Sequence, residues 1–445
     1  MPLQRTLNVR DLIFLTVGTV IGSGVFIIPA QTLRLTGSIG ASLSVWLFGG
    51  VLSLFGALTY AEMGAAQPQA GGIYIYIRDT FGPLPAFLYG WVLFFVIGPA
   101  TIATLAVAST SYLSQLLPLT PLTAKIVAVL IVAALGAVNV IGTRESANLL
   151  NVSTVIKVGV IVVLSVVLIA LSGLGGVTNA TPVGAIETPP SVFAGAGVAM
   201  VGILWAYEGW QWVTFSAGET ADPQRTFPRG IVIGTAVLVG IYMLANVAYI
   251  AALGPAAAAH SQSIAADAVG AKLGSGAGKL IAATIVVSMF SAAHSTVLTM
   301  PRVFYAMARD GLFFRSLADV HPRFQTPAVA IIATTALGIL FAATGKFEQL
   351  FTYVVFTAWI FYGLGAASVF VYRRKAGSAA RPYSVPGYPL TPILFVASAV
   401  AIVLNTMITQ PRTAGVGLIV LLVGVPAYFL WKFFGRGPAP IASTD

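Results

Sequence analysis

The sequence contains no cysteine and little charge. Without cysteine there are no disulfides, no thiolate metal sites and no cysteine nucleophile. Three histidines leave no metal-ligand cluster or nucleophile–base pair to read, so no enzyme and no cofactor is expected. No Gly-x-x-x-x-Gly-Lys-Ser/Thr run occurs, which removes the usual ATP-binding loop. Charged residues make up 8% of the chain, where a soluble domain devotes about a quarter of its residues to charge. A surface so poor in charge cannot face water all round.

What is present is apolar: 58% of the residues are hydrophobic and the mean hydropathy is +0.92. Apolar runs continue from residue 12 to residue 434 without a soluble insertion, so 1–445 reads as a single membrane domain rather than several soluble ones. The net charge of +10 does not imply a nucleic acid partner, because the basic residues are scattered between the apolar runs instead of forming one patch. The segment carrying Arg5, Arg10 and Asp11 has no small-residue cleavage site after a short apolar core. The first run is therefore expected to be a retained helix.

A helix needs about 20 apolar residues to cross a bilayer. Twelve such spans are expected, at 12–35, 41–66, 84–113, 123–141, 150–172, 192–217, 228–253, 279–305, 327–344, 349–372, 389–409 and 413–434, which makes an all-α integral membrane protein. Sixteen Lys and Arg residues, among them Arg144 and Arg436, fall on the side of the N-terminus, six fall on the other, and Lys157 lies within a span. This bias puts both termini in the cytoplasm. The loop 67–83 combines Gly71 and Gly72 with Tyr74 and Tyr76. It reads equally as a segment lying along the membrane interface and as an ordinary loop with aromatic anchors. The loop 173–191, with Glu187 as its one charge, suggests no function.

Two spans carry interruptions. In the first, Gly22 and Gly24 flank Ser23, and each glycine weakens a helix interior by about 1 kcal/mol relative to alanine. Unwound backbone at membrane depth must be buried in protein or line a water-filled cavity. N–H groups at the start of the resumed helix would suit a carboxylate. Small residues also permit close helix packing, and this triplet alone does not separate the two. The sixth span holds Trp205-Ala206-Tyr207-Glu208-Gly209-Trp210. An acid at that depth usually faces a cavity or a partner, and carbonyls freed beside Gly209 could hold an ammonium. Spans 1 and 6 open two successive five-span sets, and an odd count inverts the second against the first. Interruptions at matching positions in two halves point to a transporter's central site, and together they outweigh packing.

These segments resemble the amino acid–polyamine–organocation (APC) superfamily, in particular bacterial L-amino-acid permeases. The resemblance runs from Thr19–Phe26 through Tyr60-Ala61-Glu62-Met63, Gly71 and Gly72, Ala206–Trp210 and Ala217-Gly218-Glu219 to Pro301–Gly311. It implies a leucine-transporter-like architecture: repeats at 12–172 and 192–372, then two additional helices at 389–434. It also implies alternating access around a midplane site in the cell membrane. In such proteins the first break holds the substrate α-carboxylate through backbone amides, here Ile21, Gly22, Ser23 and Gly24, with Val25 at the edge. Sixth-span carbonyls around Trp205, Ala206 and Tyr207 receive the α-amino group. The aromatic at position 205 acts as an outer gate in relatives; phenylalanine is common there, so tryptophan puts pocket size in question. By itself Lys157 could snorkel to the interface. Exchanging and proton-driven relatives place a lysine beside the first break in lieu of sodium, which assigns Lys157 a coupling role.

The expected function is therefore a secondary transporter of L-amino acids, working by proton symport or exchange, with the bilayer and protons as its other partners. Glu208 leaves open a cationic amino acid or polyamine substrate, although neutral L-amino acids are favoured because nearby spans add little negative charge. A sodium-coupled symporter and, in another class, an ion channel are the alternatives; a channel needs a continuous polar pore or charged rings. His294 is either a proton site or a packed polar residue, and Trp359 faces either the substrate or a neighbouring helix. Ser291, Ser295 and Thr296 suit a site lining equally with backbone capping. Glu62 is expected to cap a helix or pair with an arginine.

Overall fold

The computed structural model describes residues 5–141, 146–178, 192–317, 319, 321–324, 326–376 and 381–434. Arg144, Glu187, the loop around it and Arg436 lie outside the described residues. Among those described the chain is helical, with one isolated bridge between Leu7 and Thr220. The helices important here are α1 (Val9–Val20), α2 (Gly24–Thr36), α3 (Ile39–Ala66), α4 (Ile73–Phe81), α5 (Pro83–Leu113), α6 (Pro121–Ile141), α7 (Ser146–Ser172) and α8 (Val192–Ala206). After a 3₁₀ stretch at Trp210–Glu219 follow α9 (Pro223–Leu253), α10 (Pro255–His260), α11 (Ile264–Leu273), α12 (Ser275–Arg309), α13 (Ala328–Thr344), α14 (Phe347–Ala376), α15 (Leu390–Thr409) and α16 (Pro411–Phe434).

Nine of the described helices are long and apolar enough to cross a membrane, and the pair α1/α2, bent by 50°, makes a tenth. The protein is thus a multi-pass helical membrane protein. The sixth expected span is covered by α8, whose 15 residues are fewer than a crossing needs, and the ninth by α13, whose 17 residues are at the lower end of that length. α5 and α14 are the most enclosed of the long helices, while α6, α7 and α16 expose most of their apolar surface. Side chains such as Ile408 and Phe433, 79% and 82% exposed, are stable in that position only against lipid.

Local signals set the helix ends. Asn8 caps α1 by accepting from the N–H groups of Arg10 and Asp11, and Asp11 returns the bond to Asn8 N–H at 3.0 Å, a reciprocal capping box. Gly37, at φ 68°, closes α2, and Ser38 caps α3 by accepting from Ala41 N–H. Within α5, residues Leu93–Ile97 widen into a π-turn, a distortion often kept where function needs it.

Two segments differ from a plain loop reading. The tyrosine-rich stretch after Gly72 is helix α4, and Tyr74 and Tyr76 are fully buried in protein. Burial and the carboxylate of Asp310, which accepts from the Tyr74 hydroxyl at 2.6 Å, hold that phenol above its usual range. Between α9 and α12 the chain forms α10 and α11, whose Ala258, Ala259, Ile264 and Ala265 are buried. Asp267 on α11 accepts from Ser261 and Gln115, and Arg34 at the end of α2 donates to Ala259 O at 2.8 Å.

Ion pairs gather where α3, α12 and α14 end. Glu62, 1% exposed in its side chain, accepts from Arg373 Nε and Nη2 at 2.8 and 2.5 Å and from Val385 N–H at 2.7 Å. Arg302 grips Glu219 through two bonds, and Arg78 bridges to Asp310. The N-terminal strand of chain joins the same region, since Thr6 and Leu7 donate to Glu219 O and Ala221 donates to Leu7 O. Removing one partner of a buried pair leaves an uncompensated charge. Arg373→Gln is therefore expected to lower stability by about 3–5 kcal/mol, against under about 0.5 kcal/mol for the exposed Lys125→Gln. Unfolding in detergent followed by tryptophan fluorescence measures both, and equal losses would contradict the pairing.

Candidate functional site

Helix α1 stops at Val20 because Ile21, at φ −70° and ψ 90°, leaves helical geometry; α2 resumes at Gly24. A helix end leaves its last carbonyls and the first N–H groups of the next helix without intrahelical partners, and lipid cannot supply them. Side chains from other helices do so here. Lys157 on α7, 2% exposed, donates from Nζ to Gly18 O at 2.7 Å and to Ile21 O at 3.3 Å. Tyr242 on α9 donates to Val20 O at 3.1 Å. The resumed helix directs the N–H groups of its first turn, beginning with Gly24, back towards the break. These carry the positive end of its dipole.

The second interruption follows α8. Tyr207 N–H still bonds Ile203 O and Glu208 N–H bonds Trp205 O, but Gly209 sits at φ 121°, a left-handed conformation that glycine tolerates best. The chain leaves it as the 3₁₀ stretch. Ala206 O, freed at this end, accepts from the same Tyr242 hydroxyl at 3.0 Å. One phenolic proton is thus shared between the two interruptions. Trp205 Nε1 donates to Ser23 Oγ at 3.1 Å, a second tie between them. Gly24 faces the backbone of Ala206 so closely that any Cβ on it would collide there. The Glu208 carboxylate accepts from Gln211 Nε2 and from the Tyr362 hydroxyl, both at 2.5 Å, and Gln211 Oε1 accepts from Gly209 N–H. Glu208 is therefore hydrogen-bonded within the protein.

A cavity of about 20 Å³ lies between the interruptions, bounded by Thr19, Val20, Gly22, Ser23 and Gly24 on one side and Trp205, Glu208, Gly209 and Trp212 on the other. Thr101 and Leu105 of α5 and Thr296 of α12 complete its wall. This volume admits about one water, far less than an amino acid needs. Of the residues singled out by sequence, Gly22, Ser23, Gly24, Trp205 and Glu208 line the cavity. Ile21, Ala206 and Lys157 stand behind it in the bonds just described, and Val25 continues the first turn of α2. Tyr207 is turned away, its ring 5.9 Å from Trp46 and 5.1 Å from Tyr242. Trp359 packs on Phe395 at 5.4 Å and lies outside the cavity wall. His294 is buried, with no hydrogen-bond partner on either ring nitrogen among the described residues, and it too lies outside the wall. Sequence reasoning missed Tyr242, Thr101, Leu105 and Trp212. Trp212 was within reach, since it follows Gly209 by three residues; the others carry no local signal.

Known proteins resemble this chain over nearly its whole length. The family model described as "Amino acid permease" matches residues 7–428. The chain is 32% identical over 433 residues to the serine/threonine exchanger SteT of Bacillus subtilis (strain 168), covering 97% of each. It is 30% identical over 438 residues to the cystine/glutamate transporter of Homo sapiens, covering 98% of this chain and 87% of that one. It is 29% identical over 441 residues to the large neutral amino acids transporter small subunit 2 of Mus musculus, covering 98% and 82%.

The close approach of the two interruptions gives a direct test. Gly24→Ala forces a methyl into the Ala206 backbone, and overpacking of this kind costs about 1–3 kcal/mol. Gly40→Ala, where a Cβ meets nothing within 4 Å, serves as control. The melting temperature of Gly24→Ala in detergent is expected to fall while that of Gly40→Ala holds; a fall in neither would contradict the contact.

Proposed function

This chain belongs to the amino acid permease family, it is not an enzyme, and from that premise we propose that it exchanges neutral L-amino acids across the cell membrane by alternating access. The observation that carries the proposal is the sharing of one cavity by two interrupted helices of complementary polarity. The first turn of α2 offers N–H groups suited to an α-carboxylate, drawn from Gly22, Ser23, Gly24 and Val25. The end of α8 offers carbonyls at Trp205, Ala206 and Tyr207 for an α-ammonium. A zwitterion matches both, and its side chain points to Thr101, Leu105, Trp212 and Thr296, none of which is charged.

Neutral substrates are favoured over cationic ones because the Glu208 carboxylate is taken by Gln211 and Tyr362. Trp205, stacked on Phe351 with ring centroids 6.3 Å apart and bonded to Ser23, is read as a lid. The bulk of Trp205 and Trp212 around a small cavity suits short side chains. In this reading the chain crosses the membrane twelve times: α8 with the 3₁₀ stretch forms the sixth crossing and α13 the ninth. The two sets 12–172 and 192–372 are inverted repeats, 389–434 is peripheral, and both termini are cytoplasmic.

Lys157 is proposed to couple the site to its driving force. Its ammonium holds Gly18 O and Ile21 O, carbonyls at the end of α1 that a bound cation would otherwise need, which favours exchange or proton coupling over sodium. His294 and Trp359 are left without an assigned part in binding, since they lie outside the cavity wall.

Counterflow in proteoliposomes tests this directly. Labelled L-serine or L-threonine is expected to enter when unlabelled neutral amino acid is inside, equally with and without sodium. Uptake that requires a sodium gradient, or a preference for lysine, arginine or polyamines, would overturn the reading. Lys157→Ala is expected to slow exchange by about tenfold or more, the effect of losing an interaction worth about 1.4 kcal/mol; unchanged exchange would contradict its coupling role.

A further inference from the structure

The start of α1 forms one wall of a second cavity, of about 400 Å³, whose other wall is α7. Its two sides differ in chemistry. On α7, Val152, Val155 and Ile156 are 57%, 51% and 54% exposed. Their spacing of three and four residues puts them on one helix face. On α1, Arg10 lies exposed with its guanidinium 5.2 Å from the centre of the Phe14 ring. Among the described residues Arg10 makes no ion pair within 4 Å. Asp11, in the same wall, is committed to the capping box through Asn8 N–H. Cavities elsewhere on the membrane-facing surface, such as the one between Ala133 and Ile339, are almost wholly apolar and carry no charge. A wall of branched apolar side chains beside a guanidinium that has no ion-pair partner among the described residues fits neither water nor hydrocarbon alone.

We propose that this groove binds one anionic glycerophospholipid, its phosphate on Arg10 and an acyl chain along Val152, Val155 and Ile156. Charge complementarity selects the anionic headgroup, and basic residues at a membrane surface favour such lipids. The site lies on α1 and α7, the two helices that Lys157 ties together from within. A lipid seated there holds the same two helices together at the interface.

The test is independent of transport. Purified full-length protein is mixed with phosphatidylglycerol or phosphatidylcholine, and retained lipid is counted by native mass spectrometry. One phosphatidylglycerol is expected to be retained in preference to phosphatidylcholine, and Arg10→Gln is expected to lower that retention about fivefold. Val152→Ser, which alters no charge, is expected to lower it as well, while Lys125→Gln at the start of α6 leaves it unchanged. Phosphatidylglycerol is expected to raise the melting temperature of the wild type, and inorganic phosphate at equal concentration is not. Equal retention of the two lipids, undiminished retention by Arg10→Gln, or equal stabilisation by inorganic phosphate would each overturn the lipid site.

Discussion

Backbone that leaves a helix inside a bilayer must find its hydrogen-bond partners in the protein. Two segments of this chain do so, at Ile21–Ser23 and at Tyr207–Gly209, and much of the central packing serves them. Lys157 reaches from α7 to Gly18 O and Ile21 O. Tyr242 reaches from α9 to Val20 O and Ala206 O. Gln211 takes Gly209 N–H and passes its own amide hydrogens to Glu208. Each of these groups is nearly inaccessible to solvent, so each is stable only because the interruption it satisfies is there.

The same requirement gives the site its proposed chemistry. Donors and acceptors that a regular helix would spend internally become available to a ligand once the helix opens, and glycine is what lets it open at Gly209. With Trp205 bonded to Ser23, the cavity has room for about one water. In the proposed reading, entry of an amino acid requires that bond to give way and the walls to part, so occupancy would be coupled to conformation. The lysine and tyrosine ties link that movement to α7 and α9.

Much of this was legible in the sequence because membrane proteins encode it locally. Hydropathy located the helices, Gly22-Ser23-Gly24 marked the first interruption, and Glu208-Gly209 marked the second. Lys157 stood out as the lysine within a span, and Glu62 was expected either to cap a helix or to pair with an arginine; it pairs with Arg373. Tyr242 was not legible: it sits in the middle of a regular apolar helix, and its importance comes from carbonyls 222 and 36 residues away. The burial of α4 was left open because tyrosines serve equally as interfacial anchors and as core residues with a bonded hydroxyl. Helices α10 and α11 were hidden by their length, since a span search rewards only long apolar runs. Residues 210–217 were read as the end of the sixth span, and only the backbone reveals the 3₁₀ winding of Trp210–Glu219.

The proposed recognition of the amino acid's carboxylate is tested most directly by calorimetric titration of the purified protein with L-serine, its methyl ester and ethanolamine. Serine carries both charged groups, while each of the other two lacks the carboxylate. If the first turn of α2 binds that carboxylate, both derivatives bind about a hundredfold more weakly, the loss expected for charge-assisted hydrogen bonds left unmade. Binding of either derivative within a few-fold of L-serine would contradict a carboxylate site at Gly22-Ser23-Gly24.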